Sequence, residues 1–319
     1  MSPAERRERR AAGEDTLDPE VAAWLDANPT VATRIEELPP EMLSLARGPE
    51  GAPPTRHMAR VTDDVVAGVP VRIYEHDAAP TGLVAYFHGG GHCIGSIGLM
   101  DNVARELAHC AGAAVVSVGY RLAPEHPYPA GLDDCEAVTR WALAAAARVG
   151  VDPRRVAVAG ESAGGNFAAA VALRLHANAD PPLAGQVLMY PRVDTPASHH
   201  PSRRRFAGVV LAPSTEEWYW ACYSAGRDLS RDPFAAPLQA PTLAGLPPAI
   251  VVLGGCDPLR DEGRAYARRL RDEGVAVKEL CFGGQPHGFL NFGLPAAEAA
   301  FGEIGRWLRA GFASPVVAG

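Results

Sequence analysis

Lysine is nearly absent from this sequence: Lys278 is the single one among 30 basic residues. A lysine Schiff base, a pyridoxal cofactor or a Walker phosphate loop would each have to rest on it, and its strand-like surroundings fit none of them. Long apolar runs are missing as well. No window approaches the roughly 18 consecutive apolar residues of a membrane span, so no membrane span is expected. The first residues mix Glu5, Glu8 and Glu14 with arginines and offer no apolar stretch before a small-residue cleavage site, which argues against a secretory signal. Excess positive charge is absent too. At a net charge of −7, with only Arg6 to Arg10 as a basic stretch, no nucleic-acid partner is expected. The six cysteines (Cys93, Cys110, Cys135, Cys222, Cys256, Cys281) show no CxxC spacing, and several sit in apolar segments. They read as reduced thiols of a cytoplasmic protein.

What is present describes an ordinary globule, with 47% hydrophobic and 21% charged residues. The 319 residues suffice for two domains or for one large α/β domain with an elaborated insert. Glycine and proline divide the chain into alternating strand-like and helix-like segments, the rhythm of a mainly parallel sheet. Two β-rich runs within 61–74 flank Ala67-Gly68 and read as a hairpin. Further strands are expected at 83–87, 113–118, 156–159, 186–190, 249–253 and 275–281, and helices at 100–110, 132–147, 163–177, 261–272 and 296–308. The rhythm breaks between Pro191 and about Gly245, where Trp218, Tyr219, Trp220 and Tyr223 stand among prolines and charges. That stretch reads as an insertion. Residues 18–47 read as amphipathic helix outside the sheet, and together the two would form a lid over the sheet's C-terminal edge, where open α/β sheets bind ligands.

Gly160-Glu161-Ser162-Ala163-Gly164 directly follows the expected strand 156–159 and opens a helix. A bare G-x-S-x-G is weak, but this context is the strand–turn–helix that pushes a serine hydroxyl out at a sheet edge. The new helix also aims free N–H groups at developing negative charge. His88-Gly89-Gly90-Gly91 lies just after the strand 83–87, and its glycines let the backbone approach a carbonyl oxygen closely. A phosphate cradle fails there because no lysine accompanies it. A serine needs a base, held in turn by a carboxylate, in the chain order Ser, acid, His. His287 follows the last strand, whereas His57, His76, His126, His199 and His200 precede the acid or lie away from sheet edges. The pair His199-His200 has no further ligand cluster, so no metal is expected and a solvated loop is the reading. Asp257 leaves the strand 249–253 and is the candidate acid. Asp261 competes but suits the N-cap of the helix it opens. Arg121 and Glu125 read as an ion pair bracing a loop.

These pieces together resemble the bacterial hormone-sensitive-lipase-like family of α/β-hydrolase carboxylesterases. The matching motifs are His88 to Gly91, Tyr120 to Glu125 with Pro127 and Pro129, Gly160 to Gly165, Asp257 to Asp261 and His287-Gly288-Phe289, in family order across about 61–308. The resemblance implies an α/β-hydrolase fold, a mostly parallel sheet flanked by helices with a helical cap. It implies a triad of Ser162, Asp257 and His287 and an oxyanion hole from the N–H groups of Gly90, Gly91 and Ala163, with His88, Gly89, Gly160, Glu161 and Gly164 in support. The division expected is 1–55 as N-terminal cap helices, 56–190 and 246–319 as the catalytic domain, and 191–245 as the cap insertion. Two departures stand out. Glu161 replaces the family's frequent aspartate while keeping a carboxylate. His92-Cys93 follows the glycines where the family usually has an aromatic or bulky apolar residue; His92 is expected to be a solvated or hydrogen-bonded loop histidine rather than a substrate contact. The function implied is a cofactor-independent serine carboxylesterase for short- to medium-chain acyl esters, acting through an acyl-enzyme. An amidase, peptidase or lactone hydrolase would use the same triad, and a non-catalytic small-molecule receptor would lack a triad member. Its partner is a small-molecule ester, and a homo-oligomer is compatible with all of this.

Overall fold

Strands that read as near-continuous apolar runs must be covered on both faces. The computed structural model describes residues 16–28, 35–38, 44–48 and 51–313, and in it eight strands form one sheet. They are β1 (Arg60–Val66), β2 (Val69–Glu75), β3 (Leu83–Phe87), β4 (Ala114–Val118), β5 (Val156–Glu161), β6 (Gly185–Met189), β7 (Ala249–Gly254) and β8 (Val277–Phe282). Their spatial order is β1-β2-β4-β3-β5-β6-β7-β8. β2 runs antiparallel to β1 and β4, and all other neighbours are parallel. The β1–β2 hairpin turns at Ala67 (φ 52) and Gly68 (φ 82), the two positive values a tight hairpin needs to match strand twist.

Between and after the strands lie α1 (Pro19–Ala27), α2 (Asp101–Ala111), α3 (Ala130–Ala145), α4 (Ala163–Ala177), α5 (Pro201–Arg205), α6 (Pro213–Ser224), α7 (Arg260–Asp272) and α8 (Pro295–Ala313). Side chains alternate across each strand, and the two faces feed separate cores. Leu83, Ala85 and Phe87 of β3 pack with Leu132 of α3, Phe167 of α4 and Tyr266 of α7. Val84 and Tyr86 pack instead with Leu107 of α2 and Phe301 of α8. This is the α/β-hydrolase architecture the motifs imply.

Two expectations need correction. Residues 18–47 are not one helix: α1 stops at Ala27, and Ile35–Glu37 is a single 3₁₀ turn, while 29–34 and 39–43 lie outside the described residues, as do 1–15 and 49–50 of the expected N-terminal cap. The stretch 191–245 is divided rather than uniform. α5 and α6 occupy its first part, but Leu229, Ala235, Ala240 and Leu243 sink into the core shared with α4. Leu238 N–H donates to Val193 O at 2.8 Å, and Asn166 Nδ2 to Ala235 O at 2.9 Å, so buried backbone groups are satisfied against the sheet side.

Candidate active site

Ser162 occupies the single residue between β5 and α4, at φ 54 and ψ −115. That left-handed value is costly for a residue with a Cβ and persists only where surroundings enforce it. Here Ser162 N–H donates to Met189 O of β6 at 2.9 Å, and Ser162 O accepts from Asn166 N–H at 3.0 Å and Arg192 N–H at 3.1 Å. The helix can start this abruptly because a Cβ at Gly164 would stand 1.9 Å from Phe87 O. Glycine there lets α4 sit directly on the end of β3, and the serine hydroxyl emerges at the C-terminal edge.

His287 meets it from the loop after β8. Its Nε2 is 2.9 Å from Ser162 Oγ and its Nδ1 is 2.9 Å from Asp257 Oδ2. An ionised carboxylate only accepts, so Nδ1–H donates to Asp257 and the serine hydroxyl donates to Nε2. The other oxygen of Asp257 accepts Leu259 N–H at 2.7 Å, a side-chain turn onto the backbone two residues ahead. Asp257 is fully buried. Burial pushes the His287 imidazolium toward losing its proton, but the charge and hydrogen bond of Asp257, together with the charges of Glu216 and Glu161, outweigh it, and its pKa is raised above 6.5. Asp261 is elsewhere. It does not cap α7, whose N-cap is Leu259 with no side-chain cap bond. Instead Asp261 accepts Ser202 N–H at 2.9 Å and pairs with Arg260 at 2.9 Å, tying α5 to α7. With Asp261 as N-cap the helix would begin at Glu262; it begins at Arg260, two residues earlier, which moves Asp261 from the cap into the first turn.

The glycine loop after β3 faces Ser162. Among the described residues nothing accepts from the N–H groups of Gly90, Gly91 or Ala163. Gly91 has φ 58, and a Cβ there would meet the Tyr219 ring at 2.2 Å. Glu161 lies buried beneath this loop and accepts from Tyr86 Oη (2.8 Å), Tyr190 Oη (2.6 Å) and Asn291 Nδ2 (3.0 Å), with Gly89 N–H at 3.5 Å. Its carboxylate thereby ties β3, β6, the glycine loop and the loop after His287 to one point. His88 stacks on Tyr120 at 4.2 Å, and burial lowers its pKa to about 4, so it stays neutral; Tyr120 Oη donates to its carbonyl at 2.7 Å.

Ser162 and His287 open into a cavity of about 290 Å³. Gly90 and Gly91 form one wall, and Ile35, Leu38, Leu211, Tyr219 and Leu259 form an apolar surround that also admits Arg192 and Glu216. Of the aromatic run in α6, only Tyr219 reaches this cavity. Trp220 lies against Arg192 at 4.6 Å, and Tyr223 is buried over His92 at 3.9 Å. His92 is therefore neither solvated nor a cavity wall: it is buried in a stack with Tyr223 and Phe167. Cys93 is buried beside Tyr219 O at 3.9 Å. The Arg121–Glu125 pair does not form, since Arg121 binds Asp134 at 2.8 Å and Glu125 binds Arg47 at 2.8 Å. His200 is not solvated either; it is half-buried against Asp194 at 2.9 Å. No group of three or more His, Cys, Asp or Glu able to hold a metal occurs among the described residues. Sequence reasoning missed Arg192, Glu216, Tyr190 and Asn291. The signal for Arg192 was its place: the third residue after β6, a strand whose C-terminal end faces Ser162.

A family model described as alpha/beta hydrolase fold matches residues 84–291. Carboxylesterase NlhH of Mycobacterium tuberculosis is 39% identical over 298 residues, 90% of this chain and 93% of its own. The ethyl acetate hydrolase of Pseudomonas putida is 37% identical over 244 residues, 74% of this chain and 76% of its own. Among solved structures, an ester hydrolase from the metagenome of Lake Arreo, in complex with a bipyridine phosphonate derivative, superposes with a TM-score of 0.85. It is 34% identical and covers 94% of this chain and 100% of its own.

Proposed function

We infer the chemistry from one premise: the chain belongs to the hormone-sensitive-lipase-like family of α/β-hydrolases, and it is a carboxylesterase. In our reading Ser162 Oγ attacks the ester carbonyl as His287 Nε2 takes its proton. Asp257 keeps the Nδ1 proton in place and stabilises the imidazolium that forms. The N–H groups of Gly90, Gly91 and Ala163 receive the oxyanion, where fixed donors in a desolvated site do most for the transition state. His287 then protonates the departing alcohol, and water hydrolyses the acyl-enzyme by the same steps. The observation that carries this reading is the pair of 2.9 Å contacts running from Ser162 through His287 to Asp257.

The substrates we propose are short- to medium-chain esters. A cavity of about 290 Å³ is at the lower end of the roughly 300–1,000 Å³ of small-molecule sites. Helix α6, Val210 and Leu211 before it, and the Ile35–Glu37 turn act as its cap. No helix among the described residues is long and apolar enough to cross a membrane. The cytoplasmic location we propose rests on the six cysteines, all free, as in a reducing compartment. The test is a rapid-mixing assay with p-nitrophenyl acyl esters of graded length. We expect a burst of one p-nitrophenol per chain and a rate that rises with chain length and then collapses. A chain that binds these esters without releasing nitrophenol is a receptor, and activity that keeps rising onto emulsified long-chain esters marks a lipase.

A further inference from the structure

Among the described residues, Arg192 is the one charged side chain of the cavity with no hydrogen-bonded or ionic partner. It follows β6 by three residues, and its N–H donates to Ser162 O at 3.1 Å, which fixes its backbone beside the nucleophile. The residue is 5% exposed and lines the cavity. Its Nε and Nη2 are buried and donate to no group among the described residues; the guanidinium rests on the Trp220 ring at 4.6 Å. Nearby carboxylates do not serve it. Glu216, which also lines the cavity, and Glu262 both bind Arg203. Glu262 further accepts Val193 N–H at 2.8 Å and Asp194 N–H at 3.3 Å. Two arginines and two glutamates sum to zero charge, but Arg203 takes both ion pairs.

We propose that Arg192 forms a carboxylate-recognising subsite in the esterase cavity, so that the preferred esters carry a carboxylate on their acyl or alcohol part. This rests on the esterase reading and goes beyond it. A buried guanidinium is costly unless its donors are met, and its planar fork matches a carboxylate by two parallel hydrogen bonds. A plain hydrocarbon chain entering the same space strips Arg192 of solvent and returns no acceptor. The apolar surround of Leu211, Tyr219 and Leu259 suits the short methylene spacer between such a carboxylate and the reacting carbonyl.

The experiment compares kcat/KM for pairs of equal length: p-nitrophenyl hydrogen glutarate against p-nitrophenyl valerate for the acyl side, and acetyl glycolate against ethyl acetate for the alcohol side. We expect the carboxylate ester to be preferred at least tenfold in one pair. In Arg192→Met, which keeps length and contact with Trp220, that ratio should fall at least thirtyfold, with Arg192→Lys in between, whatever change both esters share. A wild-type ratio below one in both pairs overturns the proposal even if the variants fail to fold, as does a preference that survives both substitutions. Loss of hydrolysis for all four wild-type substrates would instead count against the esterase reading itself.

Discussion

The sheet edge and the cap side of the cavity are built on different principles. At the edge, position comes from backbone: Ser162 from a forced turn between β5 and α4, Asp257 from a side-chain turn onto Leu259, and the N–H groups of Gly90 and Gly91 from a loop without side chains. On the cap side, position comes from long side chains that pair with one another, Arg203 with Glu216 and Glu262, Arg192 with Trp220, and Thr215 with Glu36 at 2.7 Å. The contrast separates reaction from selection. Backbone-set groups can be held to the tolerance that bond-making needs, whereas side chains on a cap can change without disturbing it.

The largest effects should follow from breaking the edge. Asp257→Asn should cost on the order of 10⁴ in kcat, the size seen when a triad histidine is left in the wrong tautomer, while the melting curve still reports a folded chain. Residual turnover within tenfold of the parent would remove Asp257 from the machinery. The edge also sets the pH profile. His287 must be neutral to act as base, and its pKa is raised above 6.5 because Asp257, with the charges of Glu216 and Glu161, favours the charged form more than burial opposes it. Activity should therefore be lost as pH falls through an apparent pKa above 6.5, read from kcat/KM against pH. An acid limb below that value would contradict the pairing.

The cap should respond more mildly and differently. Tyr219→Val removes a ring that lines the cavity and should move the chain-length optimum outward, since each extra methylene accommodated is worth about 0.8 kcal/mol, or about fourfold in kcat/KM. An unmoved optimum would mean that another wall sets the limit. The smallest effect belongs to Asp261→Asn, which loses a pair with Arg260 but keeps an oxygen for Ser202 N–H. It should lower stability by about 1 kcal/mol and leave kcat within twofold, as thermal melting and steady-state kinetics would reveal.

The same division explains what could be read from sequence. Gly164, Gly91 and Ser162 are legible because turns and close approaches restrict residue type locally, and the two-faced apolar runs named the strands to within a few residues. Asp261 was misread because the helix starts two residues earlier than a cap at Asp261 requires. His92, Arg121 and Glu125 were misread for another reason: their partners Tyr223, Asp134 and Arg47 are brought to them only by the tertiary fold. Arg192 carried no motif at all. Only its place just after β6 pointed to it; that its donors meet no acceptor among the described residues shows only in the fold.

The claim that the edge alone performs the chemistry is tested most directly by covalent capture. The chain is treated with an organophosphate of small alkyl groups, and both residual activity and the modified peptide are followed by mass spectrometry. The account predicts one adduct per chain, on Ser162, formed in step with complete loss of ester hydrolysis and absent from His287→Ala. An adduct on any other residue with hydrolysis retained, or activity that survives full modification of Ser162, would contradict it.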